Sequence, residues 1–330
     1  MAARMPENLA KLSHEEFNKF IEKFDVIFFD CDGVLWSFNT PLPGGCESVN
    51  ALKTLGKRVY LVTNNSQTHR DYIIQKCKQI GYKITIDDIF TSTYVAAHYL
   101  KQTGFDKTLY VIGPEQLGKD LDDVGIKHIG IGPDVIEGPL YEHITKRYKL
   151  DENVGAVLVS FDRHFSYIKL CKAVNYLKNQ NIKYYATNAD NYFDLPQFNF
   201  LLSEVGCFIK AIEAATNRLP EILSKPSTHI CNVIAKDCPP FDSSRALVIG
   251  DTLTSDMIFG KNAGYSTLFV ETGMSKMNEV KEIVDKINGG DERDVLKKMV
   301  PDYTISSLDK FYELLKKVDM KSQIKIKHSL

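Results

Sequence analysis

The sequence predicts an α/β protein in which helices wrap a parallel sheet, and three observations support this. Short apolar runs, which are typical of buried strands, alternate with stretches of helical periodicity along most of the 330 residues. Several of these runs end abruptly in polar residues, as residues 25–30 do in Asp-Cys-Asp-Gly, which indicates a strand that enters a loop. Hydrophobic residues make up 44% and charged residues 25% of the chain, and this globular composition excludes a disordered protein.

Taken in order, the elements begin with a helix after Ser13, because Ser13 and Glu16 have the spacing of a capping box. Residues 1–12 are polar and are expected to be loose, as is the basic tail from Lys316. Strands are predicted at residues 25–30, 58–63, 89–90, 109–112, 156–159, 183–186, 245–249, 267–270 and 303–305. Helices are predicted at residues 45–55, 94–102, 166–178 and 228–235, with others that end near 80 and begin near 115 and 254.

Charge and cysteine content argue against several classes of function. Lys and Arg number 41 against 42 Asp and Glu, so no basic surface for nucleic acid is expected. The seven cysteines form no CxxC pair, which argues against a zinc ribbon or a disulfide framework and for reduced thiols. No run approaches the roughly 18 apolar residues of a membrane span, and the N-terminus lacks the apolar stretch of a signal peptide. We therefore expect a cytoplasmic protein with neither a nucleic-acid nor a membrane partner.

Polar residues cluster at the ends of three predicted strands, where ligands bind in open α/β sheets. Four carboxylates at these ends cannot all stay ionised close together unless positive charge lies among them. Oxygen-rich clusters without histidine suit Mg²⁺, and Lys225 in Ser-Lys-Pro is a candidate second cation. The strand-end residues are Asp30 and Asp32 after the first strand, Thr63, Asn64 and Asn65 after the second, and Asp251 with Asp256 after a late one.

Each of these pieces has an ordinary explanation when it stands alone. Asp-x-Asp-Gly is often a turn, and Thr-Asn-Asn is often a helix N-cap. The functional interpretation depends on the whole set, on its order along the chain and on its position at strand ends. Cys31, between the two aspartates, is expected to be a small buried residue, since neighbouring anions raise a thiol pKa and reduce its reactivity. A redox-sensing thiol is the alternative.

The order of these motifs resembles that of the haloacid dehalogenase superfamily. Its four motifs are matched by Asp30-Cys-Asp-Gly-Val-Leu-Trp36, Val62-Thr-Asn-Asn-Ser66, Ser224-Lys-Pro-Ser227 and Val248-Ile-Gly-Asp-Thr-Leu-Thr-Ser-Asp256. Two further segments, Tyr110-Val-Ile-Gly113 and Phe161-Asp-Arg-His-Phe-Ser-Tyr-Ile-Lys-Leu170, resemble the eukaryotic phosphoglycolate and 4-nitrophenyl phosphatase branch, which includes pyridoxal-phosphate phosphatases. The resemblance covers roughly residues 24–310, nearly the whole chain.

The resemblance implies a doubly wound, Rossmann-like catalytic core with an inserted α/β cap domain of the large type. The core is expected at residues 1–103 and 222–330, and the cap at residues 104–221, between the second and third motifs. In this family the cap covers the active site and often mediates dimerisation, so the resemblance also allows a homodimer formed through the cap. Asp162 follows a predicted strand too, but it lacks the second Asp and the Gly, so it is expected in a cap loop.

The resemblance also implies an Mg²⁺-dependent phosphomonoester hydrolase. Asp30 would attack phosphorus and form an aspartyl-phosphate, while Asp32 would protonate the leaving group and then activate water. The implied phosphate-binding residues are Thr63, Asn64, Asn65 and Lys225. The implied metal ligands are Asp30, the backbone carbonyl of Asp32 and Asp251, with Asp256 holding metal-bound waters.

Departures from the family pattern bear on the substrate. Phe193 stands where pyridoxal-phosphate phosphatases place a substrate-facing His, and residues 200–206 hold one Gly where relatives are Gly-rich. The loop at residues 188–195, with Asn188, Asp190 and Phe193, is expected to determine specificity. The expected substrates are small phosphorylated metabolites, 2-phosphoglycolate first, and 4-nitrophenyl phosphate. A pyridoxal-phosphate or protein phosphatase, a phosphomutase and a non-catalytic metabolite-phosphate-binding regulator stay open as alternatives.

Overall fold

The computed structural model describes residues 3–195, 198–291 and 293–318. The strands in these residues are β1 (Glu7–Asn8), β2 (Val26–Phe29), β3 (Trp36–Ser37), β4 (Thr40–Pro41), β5 (Arg58–Thr63), β6 (Ile89–Thr91), β7 (Thr108–Ile112), β8 (His128–Ile129), β9 (Val154–Val159), β10 (Lys183–Ala186), β11 (Tyr192–Leu195), β12 (Phe200–Ser203), β13 (Glu221–Ile222), β14 (Ala246–Gly250), β15 (Ser266–Val270) and β16 (Tyr303–Ile305). The helices are α1 (His14–Glu22), α2 (Gly45–Thr54), α3 (Arg70–Ile80), α4 (Ser92–Gln102), α5 (Glu115–Asp123), α6 (Leu140–Glu142), α7 (Tyr167–Leu177), α8 (Val205–Thr216), α9 (His229–Asp237), α10 (Ile258–Ala263), α11 (Met277–Asn288), α12 (Asp294–Met299) and α13 (Leu308–Leu315). There are also two π-helical turns: His143–Arg147 follows α6, and Leu253–Met257 precedes α10.

The chain forms two compact units, and the second is inserted into the first along the sequence. Within the described residues, the first unit contains residues 3–63, 70–90 and 225–318, and the second contains residues 64–69 and 91–224. These limits differ from the predicted ones mainly at α4, whose residues Ala96 and Leu100 belong to the same buried cluster as Leu117 and Leu121 of α5. Helix α4 therefore packs with the inserted unit rather than with the core.

The first unit is built on a seven-stranded sheet in the order β1-β16-β15-β14-β2-β5-β6. Neighbouring strands from β1 across to β5 run parallel. All four residues of β2, near the middle, are buried, as expected for a parallel strand covered on both faces. Ile27 and Phe29 join one buried cluster, while Phe28 stacks on Tyr60 and Tyr265 at centroid distances of 5.6 and 5.3 Å. The predicted doubly wound parallel sheet is confirmed.

The second unit has its own five-stranded parallel sheet, in the order β13-β10-β9-β7-β8. Alternate residues of β9 supply two different clusters: Val157 packs with residues of α7 and α8, and Leu158 packs with residues of α4 and α5. An antiparallel hairpin of β11 and β12 lies outside this sheet. Asp162 is buried in the loop after β9, as predicted, and accepts a hydrogen bond from Lys169 at 2.5 Å.

Most of the predicted elements are confirmed within two or three residues, including the capping box of Ser13 and Glu16 before α1. The expectation that residues 1–12 are loose is wrong for the segment around β1, because β1 pairs with β16 and Leu9 is fully buried, while residues 1 and 2 lie outside the described residues. Helices α8, α11 and α13 were not predicted from the sequence, and the residues of β11 were expected to form part of a loop.

The predicted loose tail begins at Lys316, and this prediction is wrong for its first residues, because Val318 is buried in the core of the first unit. The rest of the tail, from residue 319 onward, lies outside the described residues. Among the helices in the described ranges, none is both long and apolar enough to cross a membrane.

Candidate active site

The carboxyl ends of adjacent strands in the first unit bring the predicted acidic residues together. Strands β2 and β14 are neighbours, with Phe29 opposite Ile249, so Asp30 and Asp251 follow them at the same edge of the sheet. The backbone amide of Asp30 donates to the carbonyl of Ile249 at 2.9 Å, which extends the pairing to the first residue of the site. Carboxylate oxygens of Asp30, Asp251 and Asp256 lie within 4.8 Å of one another.

Lys225 lies between two of these carboxylates. Its ammonium donates to Oδ1 of Asp30 at 2.7 Å and to Oδ1 of Asp256 at 2.6 Å. The Lys225 and Asp256 side chains are almost completely buried, whereas the Asp30 side chain is 12% exposed. Buried charges at this distance interact far more strongly than surface ion pairs, and each needs its partner. Lys225, the candidate second cation of the predicted cluster, thus contacts two of the clustered carboxylates.

The π-helical turn after β14 fixes Asp256. Its Oδ2 accepts the backbone amides of Asp251 and Thr252 at 3.2 and 3.1 Å. A Cβ atom on Gly250 would lie 2.3 Å from the Asp256 side chain, so glycine is required for this close approach. Both oxygens of Asp256 are therefore engaged, one with Lys225 and one with the backbone.

Burial and mutual repulsion perturb the acidity of the cluster. Burial raises the pKa of Asp30 well above its ordinary value, Lys225 opposes this, and the charges of Asp256 and Asp251 raise it further. Burial and the Asp256 charge raise the pKa of Asp251 to about 7. Burial alone would lower the pKa of Lys225, but the charges of Asp256 and Asp30 raise it overall. Three buried carboxylates thus share one ammonium, and additional positive charge would stabilise their ionised forms.

The donor set fits a hard divalent cation such as Mg²⁺, which takes carboxylate and carbonyl oxygens. Asp256 is already held by the Lys225 ammonium and by two backbone amides, whereas Oδ1 of Asp251 accepts the Thr252 hydroxyl at the longer distance of 3.3 Å. Asp30 and Asp251, which follow adjacent strands, are therefore the carboxylates best placed to hold the cation. Thiol and imidazole ligands, which would favour zinc, are absent from this cluster of described residues. The chemistry of the cluster therefore agrees with the predicted Mg²⁺ site.

Asp32 lies in a tight turn that follows Asp30. The carbonyl of Cys31 accepts the amides of Val34, Leu35 and Trp36, and Gly33 adopts a φ of +85°, which favours glycine. Asp32 is half-buried at this turn. Cys31 is fully buried, as predicted, and burial followed by the charges of Asp30 and Asp32 raises the pKa of its thiol well above the ordinary value.

The other predicted phosphate-binding residues are divided between the two units. Thr63 is the buried last residue of β5 in the first unit. Asn64 and Asn65 group with the second unit, where the Asn64 side-chain amide donates to Oδ2 of Asp190 at 2.9 Å. Oδ1 of Asn65 accepts the backbone amide of Gln67 at 3.0 Å. Neither unit alone holds the whole predicted set.

The predicted specificity residues lie near one another in the second unit. The side-chain amide of Asn188 donates to Oδ2 of Asp190 at 2.8 Å, and the Thr187 hydroxyl donates to Oδ1 of Asn188 at the same distance. Phe193 is half-buried on β11, opposite Leu202 of β12. It is therefore held in a hairpin and not in the predicted loop. Asp190 carries two side-chain hydrogen bonds, which the sequence did not indicate.

A fourth strand end also reaches the site, and the sequence analysis did not include it. After β15, the neighbour of β14, the chain continues as Glu-Thr-Gly-Met-Ser at residues 271–275. The Met274 amide donates to Oδ2 of Asp251 at 2.6 Å. The sequence held one indication of this: polar Glu-Thr-Gly directly follows a predicted strand, as polar residues follow the three strands at which the site was predicted.

Comparisons with known proteins agree with this geometry. Models of haloacid dehalogenase-like hydrolases match residues 27–127, 110–264 and 222–308. A glycerol-3-phosphate phosphatase of Mus musculus is 34% identical over 308 residues, covering 90% of this chain and 93% of the relative. A phosphoglycolate phosphatase of Arabidopsis thaliana is 32% identical over 311 residues, covering 92% and 97%. The crystal structure of a 4-nitrophenylphosphatase from Thermotoga maritima superposes with a TM-score of 0.70 at 25% identity, covering 89% and 98%.

These relatives span nearly the whole chain, and the fold and the carboxylate cluster agree with the four motifs identified in the sequence. The chain therefore belongs to the haloacid dehalogenase-like hydrolases and is a phosphatase of that family.

Proposed function

We propose that this phosphatase hydrolyses small phosphate monoesters in the presence of Mg²⁺, with Asp30 as the nucleophile. The difference in exposure among the clustered carboxylates supports this most directly. The Asp30 side chain is 12% exposed, whereas Asp251 and Asp256 are only 1% and 0% exposed. A nucleophile must reach its substrate, and Asp30 is the most accessible of the three. Lys225 donates to Oδ1 of Asp30, so Oδ2 is the oxygen proposed to attack phosphorus.

The reaction proceeds in two displacements at phosphorus. In the first, an Asp30 oxygen bonds to phosphorus while the bond between phosphorus and the ester oxygen breaks, and that oxygen leaves with a proton from Asp32. In the second, water attacks phosphorus and gives its proton to Asp32, while the bond between phosphorus and the Asp30 oxygen breaks and phosphate is released. Asp30 and Asp251 would hold Mg²⁺, which when bound would stabilise the negative charge of the phosphoryl oxygens. Lys225, the Thr63 hydroxyl and the backbone amide of Asn64 hold those oxygens, roles that rest on the family resemblance.

For the substrate, we propose 2-phosphoglycolate first and glycerol 3-phosphate second. The relatives named for phosphoglycolate and glycerol 3-phosphate have similar identities over similar lengths, and both names describe small aliphatic esters. Phe193 supplies bulk without charge on β11, which disfavours a polar aromatic ester such as pyridoxal phosphate. An activated aryl ester, 4-nitrophenyl phosphate, serves as a general probe because its leaving group needs little protonation.

The test is phosphate release from four esters: 2-phosphoglycolate, glycerol 3-phosphate, pyridoxal phosphate and 4-nitrophenyl phosphate. We expect turnover of all small esters with Mg²⁺, none with EDTA, and the highest kcat/KM for one of the two aliphatic substrates. Activity that persists in EDTA would contradict the metal requirement. Phosphate found on a second metabolite rather than in solution would identify a phosphomutase. Binding without turnover of any ester would support the non-catalytic regulator instead.

A further inference from the structure

The segment after β15 contacts two parts of the proposed active site at once. We call residues 272–274 the clamp segment. The Thr272 hydroxyl donates to the carbonyl of Gly33 at 2.6 Å, and the Met274 amide donates to Oδ2 of Asp251 at 2.6 Å. Immediately after the clamp segment, the amide of Ser275 donates to the backbone carbonyl of Asp251 at 3.1 Å. One short stretch of chain thus bonds both to the turn that carries Asp32 and to a carboxylate of the cation site.

Steric contacts show how closely the clamp segment packs. A Cβ atom on Gly273 would lie 1.7 Å from Oδ2 of Asp251, and a Cβ atom on Gly33 would lie 2.4 Å from the same oxygen. The backbone of Gly273 is not in the left-handed region, so its requirement for glycine is steric. Any side chain at position 273 would displace the Asp251 carboxylate or the clamp segment itself.

We propose that the clamp segment positions the cation site of this phosphatase. Thr272 holds the carbonyl of Gly33 and so fixes the turn that carries Asp32, whose backbone carbonyl is a metal ligand implied by the family resemblance. Gly273 leaves space for the Asp251 carboxylate, and Met274 fixes that carboxylate through a charge-assisted hydrogen bond. The three are positioning residues and touch neither substrate nor reacting atoms. The inference rests on the proposed Mg²⁺-dependent function.

The physical consequence is a defined loss of Mg²⁺ affinity when the Thr272 bond is removed. A hydrogen bond that holds a ligand in place contributes about 1 kcal/mol, which corresponds to about a fivefold change in an equilibrium constant. The loss should appear in Mg²⁺ binding and not in ester binding, because Thr272 has no role in holding the phosphoryl group. Serine at this position keeps the hydroxyl, so it should restore the affinity.

The experiment measures Mg²⁺ binding without substrate, by titration calorimetry, in the parent protein, Thr272→Val and Thr272→Ser. Thr54→Val is the matched control, because Thr54 is also an exposed threonine whose hydroxyl donates to a backbone carbonyl, that of Asn50 at 2.9 Å. We expect about a fivefold weaker Mg²⁺ affinity for Thr272→Val alone. At saturating Mg²⁺, its KM for 4-nitrophenyl phosphate should stay within about twofold of the parent value.

A second variant tests the steric part of the proposal. Gly273→Ala should weaken Mg²⁺ binding by more than about tenfold, since it acts directly on Asp251. Gly289→Ala is its control, because Gly289 lies at the end of α11, also outside the left-handed region, and a Cβ atom there would approach the Asp285 carbonyl at 3.2 Å. If Gly273→Ala does not fold, Thr272→Val decides the question.

The outcomes separate this inference from the proposed function. A parent protein that neither binds Mg²⁺ nor hydrolyses 4-nitrophenyl phosphate would overturn both. An active parent with unchanged Mg²⁺ affinity in Thr272→Val would overturn the clamp segment alone. A lower melting temperature with unchanged Mg²⁺ affinity would also overturn it, because a merely structural role produces that result. Weakened Mg²⁺ binding in Thr272→Val, with parent-like values in Thr272→Ser and Thr54→Val, would support it.

Discussion

Lys225 is the residue on which the buried carboxylates of the first unit depend. It is the ammonium that bonds both Asp30 and Asp256, and all three side chains are largely withdrawn from water. Removal of one member of a buried ion cluster leaves uncompensated charge, which costs more than the loss of an exposed pair. The lysine therefore stabilises the folded state around these carboxylates, and it also contacts the proposed nucleophile.

Replacement of this lysine should destabilise the metal-free protein. In EDTA, Lys225→Met should lower the free energy of unfolding of the first unit by about 3–5 kcal/mol, because Asp30 and Asp256 lose their shared partner. Urea unfolding followed by fluorescence measures this. Lys78→Met, at an exposed position on α3, is the control and should change little. Equal midpoints for the two variants would show that the ion pairs of Lys225 contribute nothing to stability.

Replacement of Asp30 and replacement of Asp32 should reduce activity in different ways as the leaving group of the ester changes. Asp30→Asn should abolish turnover of every ester, since the nucleophile is gone; activity within about tenfold of the parent, or about 1.4 kcal/mol, would rule out the assignment. Asp32→Asn should lose more on 2-phosphoglycolate than on 4-nitrophenyl phosphate, whose leaving group needs little protonation. The measurement is kcat/KM for both esters, and equal losses would contradict an acid role for Asp32.

At the scale of residues, the sequence predicted the positions of side chains that directly follow a buried strand. Asp30 and Asp251 lie together as expected, because parallel neighbours end at one edge of a sheet. Among the described residues, Lys225 follows no strand of this sheet and reaches Asp30 through its long side chain. Thr272 and Gly273 were missed because a polar residue and a glycine after a strand are common in any loop. Thr272 matters because it contacts Gly33, more than 200 positions earlier in the sequence, and Gly273 matters because it packs against Asp251, about 20 positions earlier. Such contacts become visible only when the sheet order is known.

At the scale of elements, long apolar runs were predictable and short exposed strands were not. The strands β5, β10 and β16 have the predicted bounds, because their buried residues form clear apolar runs. The hairpin was missed since β12 exposes Phe200 and Leu201 and so lacks the alternation of a half-buried strand. Helix α8 was missed although Val205, Ile209 and Ile212 recur at helical spacing along its buried side.

The hairpin is the element that should discriminate between substrates. Phe193→His should change the ratio of kcat/KM for 2-phosphoglycolate to that for pyridoxal phosphate more than it changes turnover of 4-nitrophenyl phosphate or the Mg²⁺ requirement. Phe193 is half-buried on β11, so a polar imidazole there alters the chemistry of that face. Phe200→His is the matched control, because Phe200 lies on the partner strand of the same hairpin and is exposed.

If all three rates fall together in Phe193→His and the ratio stays constant, Phe193 contributes to the packing of the hairpin and does not select substrates. An equal change of ratio in Phe200→His would show that the hairpin as a whole, and not position 193, is responsible.

At the scale of the whole molecule, the sequence predicted two units and misplaced one helix. The predicted boundary fell after α4, which lies between the predicted strands at residues 89–90 and 109–112, and spacing alone does not assign this helix to either unit. Its burial with α5 does assign it. A homodimer through the inserted unit stays a prediction, which the molar mass from light scattering would test.

The stability of the whole protein should depend on pH through the cation site. The pKa of Asp251 is about 7 in the folded protein against an ordinary value of 3.8, so the folded state binds the proton more tightly than the unfolded state. Between these two pKa values the folded state carries more protons, and its stability decreases as pH rises. Without a cation, the protein should therefore melt at a lower temperature at about pH 8 than at about pH 5.5.

Asp251→Asn removes this contribution, together with the effect of the Asp251 charge on the pKa of Asp30, because an amide oxygen in place of the carboxylate can still accept the Met274 amide while carrying no charge. In EDTA, the variant should melt above the parent at about pH 8, and the difference should shrink towards about pH 5.5. Mg²⁺ should raise the melting temperature of the parent more at the higher pH, since protons compete with the cation for the same carboxylates. It should raise the melting temperature of Asp251→Asn little at either pH. Differential scanning calorimetry measures all four conditions. If the difference in melting temperature between parent and variant does not change with pH, Asp251 is ionised throughout this pH range. The buried cluster would then tolerate its three negative charges without a cation.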